Sequence, residues 1–542
     1  MKFSVASAAV AALGLASSVS AASVQRREAT DPIVIKGAKM FHKNSGEQFF
    51  MKGVAYQTDL SNVDPNELKN GQQFVDPLAD VDGCKRDIPL LQSLNTNLIR
   101  VYAIDTTKSH DTCMKMLVEA GIYVVADLSE PGLSINRDAP SWDADLYKRY
   151  TSVIDELQQY DNVMGFFAGN EVTNNKTNAN ASPFVKAAVR DMKAYIKSKN
   201  YRQIPVGYAT NDDEEIRDQI VNYFDCGPAE DAIDFWGYNI YSWCGQSSLQ
   251  ISGWDKRTEE YKDFNVPVFF AEYGCNEVQP RKFSEVAALY GNVMSPVFSG
   301  GIVYMYFEEA NNYGLVQVDS SGKASKLADY GYLQTALAKA TPSAVAMNAY
   351  KPSNTARACP TVDAVWAAST NLPPTPDEQL CQCVRTQFEC VPASGLQQKD
   401  YAEIFGYICG QLGEGGCDGI HTNGTLGQYG SYSMCEAEIR LGWALNTYYN
   451  KQNKASDSCN FSGQAVLQKT STLNSTCSTQ VQAAGGVTGK ALSGGQSSGS
   501  GGSGSGSNGD KKNAGMALSV PFLGLNSLAI LAASFLAGVA ML

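Results

Sequence analysis

Histidine is nearly missing from this chain: 542 residues hold three, His42, His110 and His421, far apart. Imidazole metal centres draw on closely spaced histidines, so a site of that kind is excluded as the organising feature. Clustered positive charge is also missing. Lys and Arg number 43 against 55 Asp and Glu, for a net charge of −12, and basic residues never gather beyond a pair. Neutralising phosphates requires clustered cations, so nucleic acid is excluded as a partner. No glycine-rich phosphate loop follows the first apolar run, which removes the main support for a doubly wound nucleotide-binding sheet. Paired Cys-x-x-Cys motifs are absent too, so Cys381-Gln382-Cys383 gains no support as a metal ligand pair. Neither a metal nor a cofactor is expected.

Long hydrophobic runs occur only at the two ends. Residues 1–21, with an Ala-rich apolar stretch closing on Val19-Ser20-Ala21, form a secretory signal, and Arg26-Arg27 offers a further processing site. At the other end Leu518–Leu542 is uncharged and follows the small trio Asn513-Ala514-Gly515. Small residues before a terminal apolar tail form a glycosylphosphatidylinositol (GPI) attachment signal. Asn513 is the expected attachment residue, with residues 514–542 removed; Asn508 or Ser507 would leave a longer polar spacer. The expected location is the outer face of the plasma membrane, with the cell wall as a second one. Fourteen cysteines suit that oxidising compartment. So do five glycosylation sequons, at Asn175, Asn180, Asn423, Asn460 and Asn474, although Pro183 directly after the second disfavours its use.

Between the ends, eight β-rich apolar runs alternate with helical patterns: 48–57, 97–104, 123–129, 163–172, 204–210, 234–242, 267–274 and 301–308. Strands alternating with helices predict βα units, and eight in succession predict a (β/α)₈ barrel over residues 28–360. After Pro342 the texture changes. Cys381, Cys383, Cys390, Cys409, Cys417, Cys435, Cys459 and Cys477 mark a small disulfide-rich module over 371–480, entered through the proline-rich Asn371–Pro376. Residues 481–513 read as a linker, almost wholly Gly and Ser from Ser493 to Asn508. The expected fold is thus α/β, a barrel followed by a small α+β module.

Two of the runs end on a glutamate: Gly169-Asn170-Glu171 closes the fourth, and Phe270-Ala271-Glu272 lies at the end of the seventh. Barrel enzymes carry catalytic groups at the C-terminal ends of strands, and strands four and seven face each other across the mouth. Two carboxyl groups, one protonated and one ionised, are the equipment for cleaving a glycosidic bond. Glu171 is assigned as acid/base, because Asn170 beside it is placed to bind a sugar hydroxyl. Glu272 is then the nucleophile, with Tyr241 or Tyr238 available to hydrogen-bond it. Gln57, Arg100, Tyr102, Asp127 and Glu130 are further polar residues at strand ends, each as readily structural as functional.

These motifs, with Gly53-Val54-Ala55-Tyr56-Gln57, closely resemble the fungal β-1,3-glucanosyltransferases of the Gas, Gel and Phr type, glycoside hydrolase family seventy-two. The cysteine-rich stretch resembles the glucan-binding X8 module (carbohydrate-binding module family forty-three) of one subgroup. The resemblance covers nearly the whole chain, in the same order of segments. It implies that Glu171 is acid/base and Glu272 nucleophile in an internal cut of a β-1,3-glucan donor, followed by transfer to the non-reducing end of an acceptor glucan. It further implies donor contacts at Tyr102, Asn170 and Tyr304, acceptor contacts at Asp212 and Arg217, and cleft positions at Gln57, Asp127 and Tyr241. The pairings it implies are Cys84–Cys113, Cys226–Cys359 and Cys244–Cys275, leaving eight cysteines to pair within the module. A monomer is expected. Geometry alone does not separate transfer from hydrolysis, so a retaining endo-β-1,3-glucanase and a non-catalytic wall-binding protein stand as alternatives.

Overall fold

The architecture follows from a computed structural model, which describes residues 30–58 and 74–493. The signal segment 1–21, the attachment candidates Asn513, Asn508 and Ser507, and residues 514–542 lie outside the described residues. Among the described residues no helix is long and apolar enough to cross a membrane.

An N-terminal hairpin, β1 (Ile33–Lys36) and β2 (Lys39–His42), precedes the barrel. The barrel strands are β3 (Met51–Ala55), β4 (Leu98–Val101), β5 (Tyr123–Asp127), β6 (Val163–Asn170), β7 (Val206–Thr210), β8 (Trp236–Asn239), β9 (Val268–Tyr273) and β10 (Phe298–Val303). They pair in parallel and in sequence, and β10 returns to β3 to close the ring. The helices between them are α1 (Val81–Ser93), α2 (Asp111–Glu119), α3 (Ala144–Leu157), α4 (Ser182–Ser198), α5 (Arg217–Asp225), α6 (Trp254–Tyr261) and α7 (Glu285–Leu289). A small hairpin, β11 (Val316–Val318) and β12 (Ala324–Lys326), leads to α8 (Ala328–Ala338). The eighth strand starts three residues earlier and ends five earlier than the 301–308 expected: past Val303 only the Tyr304 and Tyr306 amides still bond to the neighbouring strands, and Phe307 pairs with Val316.

Period-two patterning explains where each strand residue goes. Along β4, Ile99 and Val101 join the cluster between strands and helices, while Leu98 joins the cluster inside the ring. Ile33 and Met40 of the hairpin belong to that inner cluster as well, so the hairpin closes the end of the barrel opposite the mouth. Leu98, Val125, Phe167 and Phe269 fill the interior, and Arg100 and Asp127, two residues further along their strands, stand above them at the mouth.

The module comprises α9 (Glu378–Arg385), β13 (Cys390–Pro392), α10 (Tyr401–Leu412), β14 (Thr422–Asn423), β15 (Gln428–Gly430), α11 (Ala437–Lys451), β16 (Ala465–Leu467), α12 (Ser475–Ala483) and β17 (Ala491–Ser493). Its cysteines pair as Cys381–Cys435, Cys383–Cys477, Cys390–Cys459 and Cys409–Cys417. In the barrel the bonds are Cys84–Cys113, Cys226–Cys359 and Cys244–Cys275. The linker starts later than the expected residue 481, because β17 pairs with β15 in a three-stranded sheet.

The module has its own core, built on residues such as Leu380, Ile408, Trp443 and Leu445, and meets the barrel along a seam. Trp366, Ala368 and the module's Tyr429 belong to the barrel's outer hydrophobic cluster, beyond the expected boundary at 360. The Ala144 amide at the start of α3 donates to Met434 O at 2.9 Å, and Arg440 reaches the α3 N-cap Asp143 at 3.4 Å. Gly424 lies so close to the barrel that a Cβ there would sit 2.1 Å from the Asn180 carbonyl oxygen. The Asn180 and Asn423 sequons therefore lie in this seam, half-buried, and Asn175 is half-buried nearby, whereas Asn460 and Asn474 are exposed.

Candidate active site

Both glutamates stand where their strands break the alternation. On β6, pairing with β7 shifts register between Phe167 and Asn170. Ala168 joins the helix-side cluster and a Cβ on Gly169 would also meet helix-side groups, Tyr208 and Val185, so two successive residues face outward. Asn170 and Glu171 then both serve the mouth. Glu171 sits at φ 49°, a left-handed conformation rare for a residue with a side chain, held by its amide on Ala209 O at 2.9 Å and by Arg137 donating to its carbonyl at 2.7 Å. On β9 the register against β8 shifts between Tyr238 and Asn239, which leaves Asn239 beside Glu272. Bulges that re-aim a side chain are a recurrent device next to active sites.

Glu272 is 8 % exposed and its carboxyl group is ringed by donors. Arg100 Nη1 lies 3.2 Å and the Tyr102 hydroxyl 2.8 Å from Oε1; the Tyr241 hydroxyl lies 2.8 Å from Oε2. Burial pushes Glu272 up to about 7; Arg100 opposes this, the nearby Glu171 charge adds to it, and the two tyrosine hydrogen bonds lower it. Both tyrosines are held well above their ordinary value, chiefly by burial, and so remain hydroxyl donors. Glu171 has a different setting. It is half-buried, and its Oε1 accepts from the neutral Asn239 amide at 2.7 Å.

Arg100, wholly buried, links the pieces. Its Nε and Nη2 grip the two oxygens of Asp127 at 3.0 Å each, and Nη2 also donates to Asn170 Oδ1 at 3.0 Å. The guanidinium stacks within 4.4 Å of the Phe167 and Tyr102 ring centroids. Asn239 donates to the same Asn170 oxygen at 3.0 Å, so a chain of hydrogen bonds runs Glu272–Arg100–Asn170–Asn239–Glu171. Asn170 thus accepts twice through the one side-chain oxygen.

The remaining expected residues divide in two. Gln57 and Asp127 are buried at the base of the mouth, with their polar atoms bonded to protein groups. Gln57 Oε1 accepts from Tyr102 N and Ala103 N while its Nε2 donates to Val75 O, and Asp127 is the partner of Arg100. Tyr304 begins just past β10, packs edge-on against Tyr313 at 5.2 Å, and Tyr313 meets Tyr241 at 5.8 Å, forming an aromatic wall beside Glu272. Asp212 pairs with Arg217 at 2.7 Å and accepts from Tyr238. Tyr238 is thus not a partner of Glu272: Asn239 and Tyr241 point inward, and Tyr238 and Ile240 outward. Asn239 escaped sequence reasoning; its one signal was its place two residues before Tyr241 on a strand leading to the mouth.

A closed parallel barrel with two glutamates brought together at the ends of its fourth and seventh strands defines an enzyme of the glycosidase type. The glucanosyltransferase family, glycoside hydrolase family seventy-two, matches residues 22–341, and an X8 domain matches 388–466. The chain belongs to that glucanosyltransferase family. It is 54% identical over 502 residues to a 1,3-beta-glucanosyltransferase of Arthroderma benhamiae, covering 90% of each chain. It is 46% identical to the 1,3-beta-glucanosyltransferase gas1 of Schizosaccharomyces pombe, over 91% of this chain and 87% of that one. Among solved structures, a mutant of Saccharomyces cerevisiae Gas2p in complex with laminaritetraose and laminaripentaose matches with a TM-score of 0.76 at 43% identity, over 84% of this chain and 99% of that one.

Proposed function

We propose that this protein is a retaining β-1,3-glucanosyltransferase that remodels cell-wall β-1,3-glucan, and that it acts as a monomer. Glu171 gives a proton to the departing glycosidic oxygen while Glu272 attacks the anomeric carbon, releasing the reducing-end piece and leaving a glycosyl ester on Glu272. Glu171, now a base, takes the proton of the 3-hydroxyl at the non-reducing end of a second glucan. That oxygen displaces Glu272 and the new β-1,3 bond lengthens the acceptor. The observation that carries this reading is the unequal pair: Glu272 faces three donors suited to an ionised nucleophile, and Glu171 faces one neutral amide. The laminari-oligosaccharides in the Gas2p complex support a glucan chain as substrate.

Incubation with a reduced laminari-oligosaccharide tests transfer against hydrolysis. Products longer than the starting material are expected; a mixture of shorter ones alone makes the protein an endo-glucanase.

Removing one donor tests the nucleophile's protonation. Tyr241→Phe strips a hydrogen bond that lowers the Glu272 pKa, so that pKa rises. Because the ionised form attacks, the acid-side limb of kcat/KM moves to higher pH, with a loss of roughly 10- to 100-fold for a hydrogen bond to a charged group. A limb that stays in place would sink the assignment.

Residues 1–21 and the segment after Asn513 support secretion and a GPI anchor on the outer face of the membrane, and the seven disulfides suit that compartment. The exposed Asn460 and Asn474 are the acceptors most open to glycosylation.

A further inference from the structure

Beyond β4 the chain runs through a loop from Tyr102 to His110, where α2 begins. His110 has no exposed surface, and each ring nitrogen faces a carboxylate. Nδ1 lies 2.7 Å from Glu156 Oε1 on α3, and Nε2 lies 2.8 Å from Asp76 Oδ2. A neutral imidazole carries a single N–H and cannot donate to both, so the ring that satisfies two carboxylates is the imidazolium. The other charged groups around this pair are Asp105 on the same loop, Asp111 at the start of α2, and Arg149 on α3, which is paired with Glu130 at 2.7 Å. Tyr160 hydrogen-bonds Asp111 and Glu156. Burial works against the His110 charge, but Asp76 and Glu156 outweigh it and hold the ring above its ordinary value.

Asp76 is a junction. Its Oδ1 accepts the amides of Leu78 and Ala79 at 2.9 and 3.2 Å, and its Oδ2 accepts the Asp105 amide at 2.7 Å as well as His110. The carbonyl just before it, Val75 O, accepts Gln57 Nε2 at 2.6 Å, and Gln57 holds the Tyr102 and Ala103 amides at 3.1 Å each. The loop that carries Tyr102 is therefore pinned at both ends to the 75–79 turn, through Gln57 near the barrel and through Asp76 and His110 at the far end. The Tyr102 hydroxyl is the one that meets Glu272.

We propose that His110 is a positioning residue for the reaction: its imidazolium locks Asp76 to the 102–110 loop and so keeps Tyr102 on the Glu272 carboxylate. This rests on Glu272 being the nucleophile. Loss of the proton turns one ring nitrogen into a lone pair facing a carboxylate oxygen 2.7 or 2.8 Å away, a repulsive contact that the loop relieves by moving. The lock is complete below the ordinary histidine value of about 6.5 and is lost as pH rises through the higher value of the folded protein. Turnover then has an alkaline limit that owes nothing to Glu171.

The test takes Glu171 out of the measurement. In Glu171→Gln, a laminari-oligosaccharyl fluoride with azide as acceptor requires no proton from the protein at either step. With His110 present, the rate of azide product should fall on the alkaline side. Adding His110→Gln should abolish that fall, leaving only the acid-side rise set by Glu272 and a plateau about tenfold lower on the alkaline side. Glu156→Gln, at a partly exposed position and so milder for folding, should move the fall to lower pH by removing one of the two acids that hold the proton. The ring proton resonances of the unaltered protein should include one that titrates above about 6.5 and is missing in His110→Gln. An alkaline limb absent from the Glu171→Gln protein, or unmoved by both substitutions, overturns the proposal. Absence of any azide product in the parent variant overturns the nucleophile assignment itself and this proposal with it.

Discussion

Glu272→Gln should abolish both glucan cleavage and glucan elongation, with a rate loss of at least about 10⁴-fold, because no covalent intermediate forms without the carboxylate. The fold should survive the change. A glutamine oxygen still accepts from Arg100 and Tyr102, and its amide can donate to the Tyr241 hydroxyl, which accepts as well as donates. Stability should rise at neutral pH, and the sign follows from the titration. Burial leads the rise of Glu272 to about 7, so the folded protein is penalised wherever an unfolded glutamate has already ionised, above about pH 4.3. Replacing the acid with an amide removes that penalty. Thermal melting at pH 7 alongside the product assay checks both halves: an inactive variant that melts no lower than the parent is expected. Residual elongation near the parental rate would remove Glu272 from the mechanism.

Glu171→Gln should behave differently. Transfer from an unactivated glucan falls by about 10²- to 10⁴-fold, the usual worth of a positioned acid/base. A glucosyl fluoride, whose leaving group needs no proton, should still load Glu272, and the ester should accumulate because no base activates the acceptor. Azide, needing no base, should discharge it as the β-azide, the anomer that two inversions produce. An α-azide would mean a single displacement, and with it a water-using, inverting site.

The barrel and its two glutamates were legible for a physical reason. Each barrel strand is an apolar run buried on both faces, and the glutamates end two such runs, at positions where a carboxylate has no packing role. What the sequence hid is the parity of those runs. Strict alternation would send Glu272 to the face opposite Ala271, yet both serve the interior; it would likewise separate Asn170 from Glu171. Bulges are set by hydrogen bonds from the neighbouring strand, which no local pattern records. The same blindness made Tyr238 as good a partner for Glu272 as Tyr241, and left Asn239 unnoticed. The protein partners of Asp127 and Gln57 were hidden too, because polar residues at a strand end read alike, whether they face solvent or another side chain. Only Arg100, reaching from β4, shows which of them is already engaged.

The seam between barrel and module bears on how the protein is made. The last barrel strand is complete at Val303, but the cluster that seals the helix layer waits for Trp366 and then Tyr429. At synthesis rates of about 5–20 residues per second, that wait lasts roughly 6–25 s. Throughout it the nascent barrel carries an uncovered apolar strip beside α4, where Phe184 will later meet Tyr429. The catalytic half therefore receives its last apolar cover from a segment made well after it.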